Sequence, residues 1–513
     1  MNREYKEKLS RSIEDKYSDL EERIMQDIIR RIRKTGEITS TADWQINRLK
    51  ILGNSSEETE RMIKEALNVS YPDMFELYDK VIDWEYVRNK DIYEQINAEF
   101  IPFAENDELQ QITDALIRQS SADLENITQS LGFYLDYGNG KRVMTPLSNV
   151  YSKYLDSACF DIASGAFDYN SVLRRVVTQL TNSGLRTIDY ASGYSSRVEV
   201  AARRAVMTGI SQLTGKISET NAEKLGTDYF EVAWHSGARP THAVWQGKVW
   251  TKEQLKTVCG LGSVTGILGA NCYHEYYPFI PEISERNWSD EWLEEQNRKE
   301  NTPKVFRGKE YTAYEAKQRQ RQMETAMRAQ RQKVKLLKEG GADPDDVMLA
   351  RCKYQGQLDE YARFSKKMGL KQERERIYLD MRGRVAPESK KYTKYILEKE
   401  KENSIIKSEL REVGLQGKIN MKPYKIDLSK VTFDDNHINK ERNHSVTLEE
   451  AKSYIENAKF SETVWKGRFE RYYSHNGVAY VNRNNLRIRT AYKPEQFGKT
   501  VQKVMEVLIN HEK

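Results

Sequence analysis

The chain has 513 residues, of which 31% are charged and 10% are aromatic, and its formal net charge is +5. Its mean hydropathy is −0.79, and it has no apolar run long enough to cross a bilayer, which excludes an integral membrane protein. The start, MNREYKEKLSRSIEDKYSDLEERI, lacks the apolar core of a signal peptide, so we expect the chain to remain in the cytoplasm. The length predicts two to four domains. The four cysteines, at 159, 259, 272 and 352, suggest no disulfide framework and should be reduced.

The basic residues are distributed unevenly along the chain. From Leu415 to Lys513 there are 18 Lys and Arg against 12 Asp and Glu, whereas the preceding part is close to neutral. A local basic excess is typical of a segment that binds a polyanion, although a solvated basic surface is also common. The charge pattern therefore makes DNA or RNA a candidate partner of the C-terminal part.

The first two parts of the chain differ in their predicted structure. Residues 1–225 carry apolar residues at three- and four-residue spacing, for example in DELQQITDALIRQ and SVLRRVVTQLTNSGLR, which predicts mainly α-helices. In residues 226–300, DYFEVAWHS and GKVW predict short strands, and a glycine-rich loop argues against long helices. We therefore expect a helical region followed by a small, irregular α+β centre.

The segment 235–281 contains three of the seven histidines and two of the four cysteines. It reads HSGARPTHAVWQGKVW and then CGLGSVTGILGANCYHEYYPFIP. Cys272 and His274 are two residues apart, so on an extended backbone they point to the same side. His242, Cys272 and His274, with Cys259 or His235 as the fourth ligand, are candidates for a structural zinc site. Hydrogen-bonded packing is favoured over zinc, because C-x-H is not the spacing of the common zinc fingers.

The same segment resembles the tailed-phage minor capsid proteins, in particular the minor capsid protein 2 group related to the MuF-type head morphogenesis proteins. The matching residues are ARPTHAVWQGKV at 238–249 and, further on, Asn271, Cys272, His274, Pro278 and Phe279. Tyr273 stands where the family usually has arginine, so no role of that arginine is carried over. A weaker likeness runs from the N-terminus to about residue 375 and includes FRGKEYTAYEAKQRQRQMETAMR at 306–328.

This resemblance implies a role for each of the first two parts. Residues 1–225 would be a helical region associated with the capsid or portal, and residues 226–300 would be the MuF-like core. The partners would be the portal and the major capsid protein. The location would be the capsid interior of the virion, with the host cytoplasm as the site of assembly.

Residues 301–414 return to a charged, helical pattern. The helices should break at Gly340, Gly341 and Pro344, and again near Gly383 and Pro387. The basic stretch AKQRQRQMETAMRAQRQKVKLLK is consistent with a helix that lies on DNA or a capsid surface, or with an exposed helix whose lysines are solvated. We interpret the segment as a charged helical spacer.

Residues 415–513 predict a separate α+β module. Thr447 followed by Glu450 indicates a capped helix start. VWKGRFERYYS, VAYVNR and LRIRTAYK predict three antiparallel strands, and a last helix should run from about Glu495 to Ile509. The expected order is helix, antiparallel meander, helix.

This module resembles the phage-borne branch of the barnase, EndoU, colicin and RelE nuclease superfamily, whose members are small metal-independent RNases fused to MuF-type capsid proteins. The residues that carry the likeness lie in NHINKERNH, in YYSHNG and in RTAY at 489–492. Metal-free cleavage of RNA needs a base, an acid and cationic donors at the phosphate, and histidine and arginine supply these groups. The resemblance implies no cofactor for this module.

The candidate residues of the module fall into three roles. His437 and His444 are candidates for base and acid. The candidates for contact with the phosphate are Arg442, Arg468, Arg489 and the Thr490 hydroxyl. Tyr473 or Tyr492 would stack a base. Arg489 and Thr490 are neighbours on one strand, so they face opposite sides unless a bulge intervenes.

The sequence as a whole indicates a minor head protein of a tailed phage or prophage with an RNase-like effector at its C-terminus. An immunity protein or a packaging-dependent block would restrain the effector in the producing cell. The main alternative is a purely structural protein whose basic module binds nucleic acid or capsid without cleavage. A second alternative is a cellular polymorphic toxin with a MuF-type delivery part.

Overall fold

Long helices and short strands make up the described part of the chain. The computed structural model describes residues 3–37, 48, 55–87, 90, 93, 99–138, 140–164, 166–188, 193–380, 382–465 and 467–512. The longer helices are α1 (Arg3–Gly36), α2 (Ser55–Glu85), α3 (Asp107–Gln129), α4 (Asp156–Ala163), α5 (Tyr169–Ser183), α6 (Val198–Leu225), α7 (Pro240–Ala243), α8 (Lys252–Thr257), α9 (Asp290–Asn301), α10 (Ala313–Glu339), α11 (Pro344–Met368), α12 (Lys390–Glu412), α13 (Leu448–Glu456) and α14 (Lys499–Glu512). A further helical turn, Leu147–Asn149, and π-helical turns at Val150–Leu155 and Asn436–Glu441 accompany them.

The strands form four sheets within the described residues. They are β1 (Leu131–Asp136), β2 (Arg142–Pro146), β3 (Arg186–Ile188), β4 (Ser195–Arg197), β5 (Tyr229–Val232), β6 (Val249–Thr251), β7 (Tyr276–Phe279), β8 (Lys304–Phe306), β9 (Lys309–Tyr311), β10 (Lys418–Asn420), β11 (Thr432–Phe433), β12 (Phe460–Val464), β13 (Phe469–Ser474), β14 (Gly477–Asn482) and β15 (Arg487–Tyr492). The strand orders are β2-β1-β3-β4, β6-β5-β7, β8-β9 and β10-β12-β13-β14-β15-β11.

Helix α1 lies at the centre of the largest core. Its apolar residues recur at three- and four-residue spacing, and Tyr17, Leu20 and Ile24 are completely buried. They share one hydrophobic cluster with residues of α2, α3, α5 and α6, and also with Leu336 and Leu337 of α10. The segment predicted to be a charged spacer therefore contributes side chains to the core of the body in this structure.

A four-stranded sheet lies within the region that was predicted to be mainly helical. Strand β1 pairs with β2 in antiparallel register, with Phe133 opposite Thr145, and it pairs with β3 on its other side. Strands β3 and β4 are three residues each, which is too short for an alternating pattern to be recognised. The helical prediction for residues 1–225 is thus confirmed for most of the region and corrected at this sheet.

A buried carboxyl group near the start of α6 makes the stability of the body depend on pH. Burial, with a further contribution from the charge of Glu21, raises the pKa of Glu199 to about 7 from an ordinary value of 4.5. Arg328 is its ion-pair partner at 3.3 Å. Since the folded carboxyl keeps its proton where the unfolded one has lost it, the contribution of Glu199 to the free energy of unfolding falls as the pH rises through this window.

We expect the Glu199→Gln protein to lose less stability than the wild type when the pH is raised from about 5 to about 8, because glutamine does not titrate. The measurement is the midpoint of the urea transition of both proteins at each pH. Glu223→Gln is the matched control, because this carboxylate lies in the same helix with its side chain 71% exposed. An identical pH dependence in all three proteins would contradict the assignment.

The C-terminal module is a six-stranded sheet with helices on both faces. Thr447 and Glu450 form the predicted capping box at the start of α13. The stretch VWKGRFERYYS is divided between β12 and β13, and β10 and β11 extend the predicted meander at its two edges. Strand β11 pairs parallel to β15. The helix, sheet, helix order is confirmed, and the sheet has more strands than the sequence indicates.

Helix α12 packs on this module. Leu410 of α12 lies in one hydrophobic cluster with Phe460 of β12 and Leu508 of α14. The opposite face of the sheet is covered by α13, whose Ala451 and Ile455 pack in a second cluster. The module in this structure therefore includes residues before the predicted boundary at 414/415.

The module contacts the body through the β10 edge of its sheet. Lys418 in β10 forms an ion pair with Asp168 at 3.0 Å, and Lys422 forms another with Asp345 at 2.7 Å. Gly467, in the turn between β12 and β13, packs closely against the carbonyl of Ala166. The opposite edge of the sheet is formed by β11 and β15.

Candidate functional site

The histidine and cysteine cluster predicted from the sequence forms at the small central sheet. Pro240 begins α7, where its fixed φ suits a helix start and its missing N–H is not needed. This short helix carries His242. Cys272 and His274 lie on the extended segment that leads into β7, beyond the glycine-rich loop. Two distant parts of the sequence therefore place their side chains at one point.

Three side chains present their donor atoms to one another at this point. The Nδ1 atoms of His242 and His274 are 3.3 Å apart. The Cys272 Sγ atom lies 3.5 Å from Nδ1 of His274 and 3.8 Å from Nδ1 of His242. All three residues are buried. Among the described residues, they form the group of His, Cys, Asp and Glu side chains whose geometry could hold a metal ion.

The opposite nitrogen of each ring is held by an oxygen acceptor. Nε2 of His242 lies 2.8 Å from the carbonyl oxygen of Thr265, which can only accept, so this nitrogen carries a proton. Nε2 of His274 lies 2.9 Å from Oε1 of Gln246. The same Oε1 accepts from the backbone N–H of His235, which fixes the amide orientation and makes Nε2 of His274 a donor as well. In the neutral rings, both Nδ1 atoms are therefore lone pairs.

The surroundings of the trio keep the rings neutral and in place. Burial is the main cause that lowers the pKa of His242, and it lowers the pKa of His274 well below the usual range. The ring of His235 lies against His274, with 4.1 Å between centroids, and Trp245 lies on another side of it at 4.7 Å. Cys259 packs in one hydrophobic cluster with Trp245 and Cys272, but it lies outside the group of three donors.

The candidate catalytic residues of the C-terminal module lie beside the β11 and β15 edge. The π-helical turn carries His437, whose Nδ1 lies 2.7 Å from Oε2 of Glu441. The ring of His444 lies near Tyr492, and its Nδ1 is 3.1 Å from Oε1 of Gln496. Since both partners are acceptors, each ring donates from Nδ1 and presents Nε2 for proton transfer.

Backbone hydrogen bonds keep the predicted residues of this turn close together, since the N–H of Arg442 donates to the carbonyl of His437 at 3.2 Å and the N–H of His444 donates to the carbonyl of Ile438 at 3.0 Å. Desolvation lowers the pKa of His444, and the positive charges of Arg442 and His437 lower it further. Arg442 is exposed, whereas the two histidines are partly buried. The structure thus gathers His437, Arg442 and His444 in one neighbourhood.

A bulge in β15 settles which way the two neighbours Arg489 and Thr490 face. The register with β14 shifts between Tyr480 and Val481. Ile488 and Ala491 both pack into the cluster under α13, so the two residues between them lie away from that core. Arg489 binds Asp434 at 2.6 Å, and Arg487 binds the same carboxylate at 3.0 Å.

Two of the predicted contacts with RNA do not join this group. Tyr473 is 2% exposed and is stacked on Phe460, with the ring centroids 4.6 Å apart, so in this structure it packs in the core. Arg468 lies in the turn between β12 and β13, which β13 and β14 separate from β15. The other aromatic candidate, Tyr492, lies beside His444, with 5.6 Å between the ring centroids.

A known protein family matches the larger part of the chain. The family model described as phage minor capsid protein 2 matches residues 1–362. The chain belongs to the phage minor capsid protein 2 family. No curated protein and no solved structure matched the chain.

Membership in the phage minor capsid protein 2 family gives the protein a structural role in head morphogenesis, a place in the virion and capsid-related partners. The match includes the His242, Cys272 and His274 trio and ends within α11. The C-terminal module lies beyond it. In the part of the chain that the structure describes, every helix is too short or too polar to cross a membrane.

One further polar group in this minor capsid protein was not found by sequence reasoning. Glu462, which is 1% exposed, accepts hydrogen bonds from the Tyr473 hydroxyl at 3.1 Å and from Arg471 at 3.2 Å. Both partners are on β13, and the group borders a cavity of about 470 Å³ between the module and the body. Alternation along β12 was the only signal in the sequence that could have indicated it.

Proposed function

We propose that this minor capsid protein carries an RNase-like effector in its C-terminal module, while residues before α12 act at the portal or the inner capsid surface during head assembly. The observation that carries the proposal is the grouping of His437, Arg442 and His444 beside β15. Two rings that each present Nε2 can take a proton from the ribose 2′-hydroxyl and return one to the leaving oxygen. Arg442 offers donors to the phosphate.

The position of this group supports access by RNA. The module contacts the body through β10, and the candidate residues lie at the other edge of the six-stranded sheet. The basic excess of the module, 18 Lys and Arg against 12 Asp and Glu, would attract a polyanion. A restraining partner, such as an immunity protein, would have to cover the β11 and β15 edge.

A second candidate function is binding of nucleic acid or capsid without cleavage. The observation that favours it is the pairing of Arg489, a candidate donor at the scissile phosphate, with Asp434 at 2.6 Å, because binding of a polyanion without cleavage can use the other Lys and Arg of the module. In this case the basic module would hold the genome or the inner capsid surface. A cellular toxin that uses the family region for delivery would share the catalytic chemistry of the first proposal.

The test is cleavage of total cellular RNA by the purified full-length chain, with and without EDTA. The full chain is used because α12 packs on the module. We expect EDTA-resistant cleavage, since the proposed acid, base and phosphate donors are all side chains. Binding of RNA without hydrolysis by the folded protein would support the second function. A complete loss of cleavage in EDTA, while circular dichroism shows that the chain stays folded, would contradict the metal-independent mechanism.

A further inference from the structure

The donor atoms of His242, Cys272 and His274 have the separations of a tetrahedral metal site. Zinc binds histidine nitrogen at about 2.0–2.1 Å and cysteine sulfur at about 2.3 Å, so tetrahedral angles put two nitrogens about 3.3 Å apart and nitrogen and sulfur about 3.5 Å apart. The corresponding distances here are 3.3 Å between the two Nδ1 atoms and 3.5 and 3.8 Å from Sγ to them.

The positions of the protons on the two histidine rings also favour a bound cation. Both Nε2 atoms are donors, so the two Nδ1 atoms face each other as lone pairs at 3.3 Å with no proton to share. If Nδ1 of either neutral ring carried the proton, its Nε2 would turn a lone pair toward the Thr265 carbonyl or the Gln246 amide oxygen. A cation between the two Nδ1 atoms removes both conflicts. Histidine ligands of metals commonly donate their other N–H to a carbonyl or amide oxygen in this way.

We propose that His242, Cys272 and His274 bind one zinc ion through Nδ1, Sγ and Nδ1. Sulfur and imidazole donors in a tetrahedral arrangement suit zinc better than the oxygen-seeking magnesium or calcium. Binding releases the thiol proton of Cys272 to solvent, and the thiolate becomes a ligand.

Solvent takes the fourth position of the ion. All three ligands line a cavity of about 750 Å³, which Arg239 and Tyr273 also border. Cys259 and His235, the two predicted candidates for the fourth ligand, both lie outside the group of three donors. An open fourth position on the cavity side follows from this arrangement.

The ion would lie at the edge of the hydrophobic cluster of the central region, to which Cys272 belongs, and would connect segments that are distant in sequence. It joins α7, the end of the glycine-rich loop and the segment before β7. The His242 ring also anchors the middle of that loop through the carbonyl of Thr265. A zinc ion would stabilise this central region, because the free energy of metal binding becomes free energy of folding.

The test is the zinc content of the purified full-length chain without an affinity tag, measured by inductively coupled plasma mass spectrometry. We expect close to one zinc ion per chain in the wild type, and a loss of most of it in Cys272→Ala and His274→Ala. Cys259→Ala is the matched control, because it removes a buried thiol from the same hydrophobic cluster, and it should keep its zinc.

Cobalt replacement separates loss of the ion from misfolding of a variant. The wild type loaded with Co²⁺ should show the absorption of a thiolate bound to tetrahedral cobalt, and Cys259→Ala should show the same band. A wild type that binds neither zinc nor cobalt in a stoichiometric amount would overturn the proposal. Loss of zinc in Cys259→Ala would overturn the solvent-filled fourth position.

Discussion

Replacing His444 with alanine is expected to lower the rate of RNA cleavage by roughly 10²–10⁴-fold, the usual value of one positioned proton transfer. Burial is the main cause that lowers the pKa of His444, so the ring is neutral at neutral pH and can accept the proton of the 2′-hydroxyl. The measurement is the single-turnover cleavage rate of a labelled RNA by the full-length chain. Because the pKa lies below its ordinary value of 6.5, the acidic fall in rate should occur below that pH.

His437→Ala should have an effect of the same size, because this ring would serve the complementary proton transfer. If the two rings act in one step, the double variant should be little slower than either single variant. His475→Ala is the matched control, since His475 lies in the turn between β13 and β14 and has no role in the proposed chemistry. Equal rates for the wild type and both single variants would contradict the assignment of acid and base.

The second large effect is expected in the stability of the body, at Arg331 of α10. This side chain is 1% exposed and binds Asp380 at 2.8 Å. It also donates to the Tyr354 hydroxyl at 3.2 Å and to the backbone carbonyl of Arg382. We expect Arg331→Met to lower the free energy of unfolding by about 3 kcal/mol, because the carboxylate of Asp380 keeps only its ion pair with Arg382 and the buried hydrogen bonds of the guanidinium are lost.

Thermal and urea unfolding of the purified chain measure this loss. The double variant Arg331→Met, Asp380→Leu should recover part of it, because the buried carboxylate is then gone and Arg382 keeps its contact with Glu22 at 3.9 Å. Arg307→Met is the matched control. Its guanidinium is 66% exposed in its pair with Glu360, so the change should cost less than about 1 kcal/mol. Equal losses at Arg331 and Arg307 would show that burial does not determine the effect.

The grouping of His242, Cys272 and His274 could be anticipated from the sequence, because these residue types are chemically distinctive and two of them are only two residues apart. Cys272 and His274 do place their donors on one side, as their spacing indicates. The distances between these donors and His242, and the exclusion of Cys259, depend on how the glycine-rich loop folds back. No local pattern contains that information.

The C-terminal module shows a similar division between local and distant information. The capping box at Thr447 is a local signal and was predicted correctly. Strand β11 has two residues and pairs with β15, more than fifty positions away, so nothing in its own sequence identifies it as a strand. Asparagine adopts a positive φ more readily than leucine, and two asparagines, Asn484 and Asn485, stand in the turn before β15. The residue with the positive φ is nevertheless Leu486, whose side chain packs against the core. In both cases tertiary packing determines the local backbone conformation.

The spread of the main core along the chain has a consequence for synthesis. Side chains from Ile13 of α1 to Ala350 of α11 belong to one cluster. A ribosome adds about 5–20 residues per second, so the last of these residues emerges about 20–70 s after the first. During that time α1 is outside the ribosome without its full set of partners. Strands β12 to β15 are neighbours in sequence, so most of the C-terminal sheet can assemble soon after it emerges.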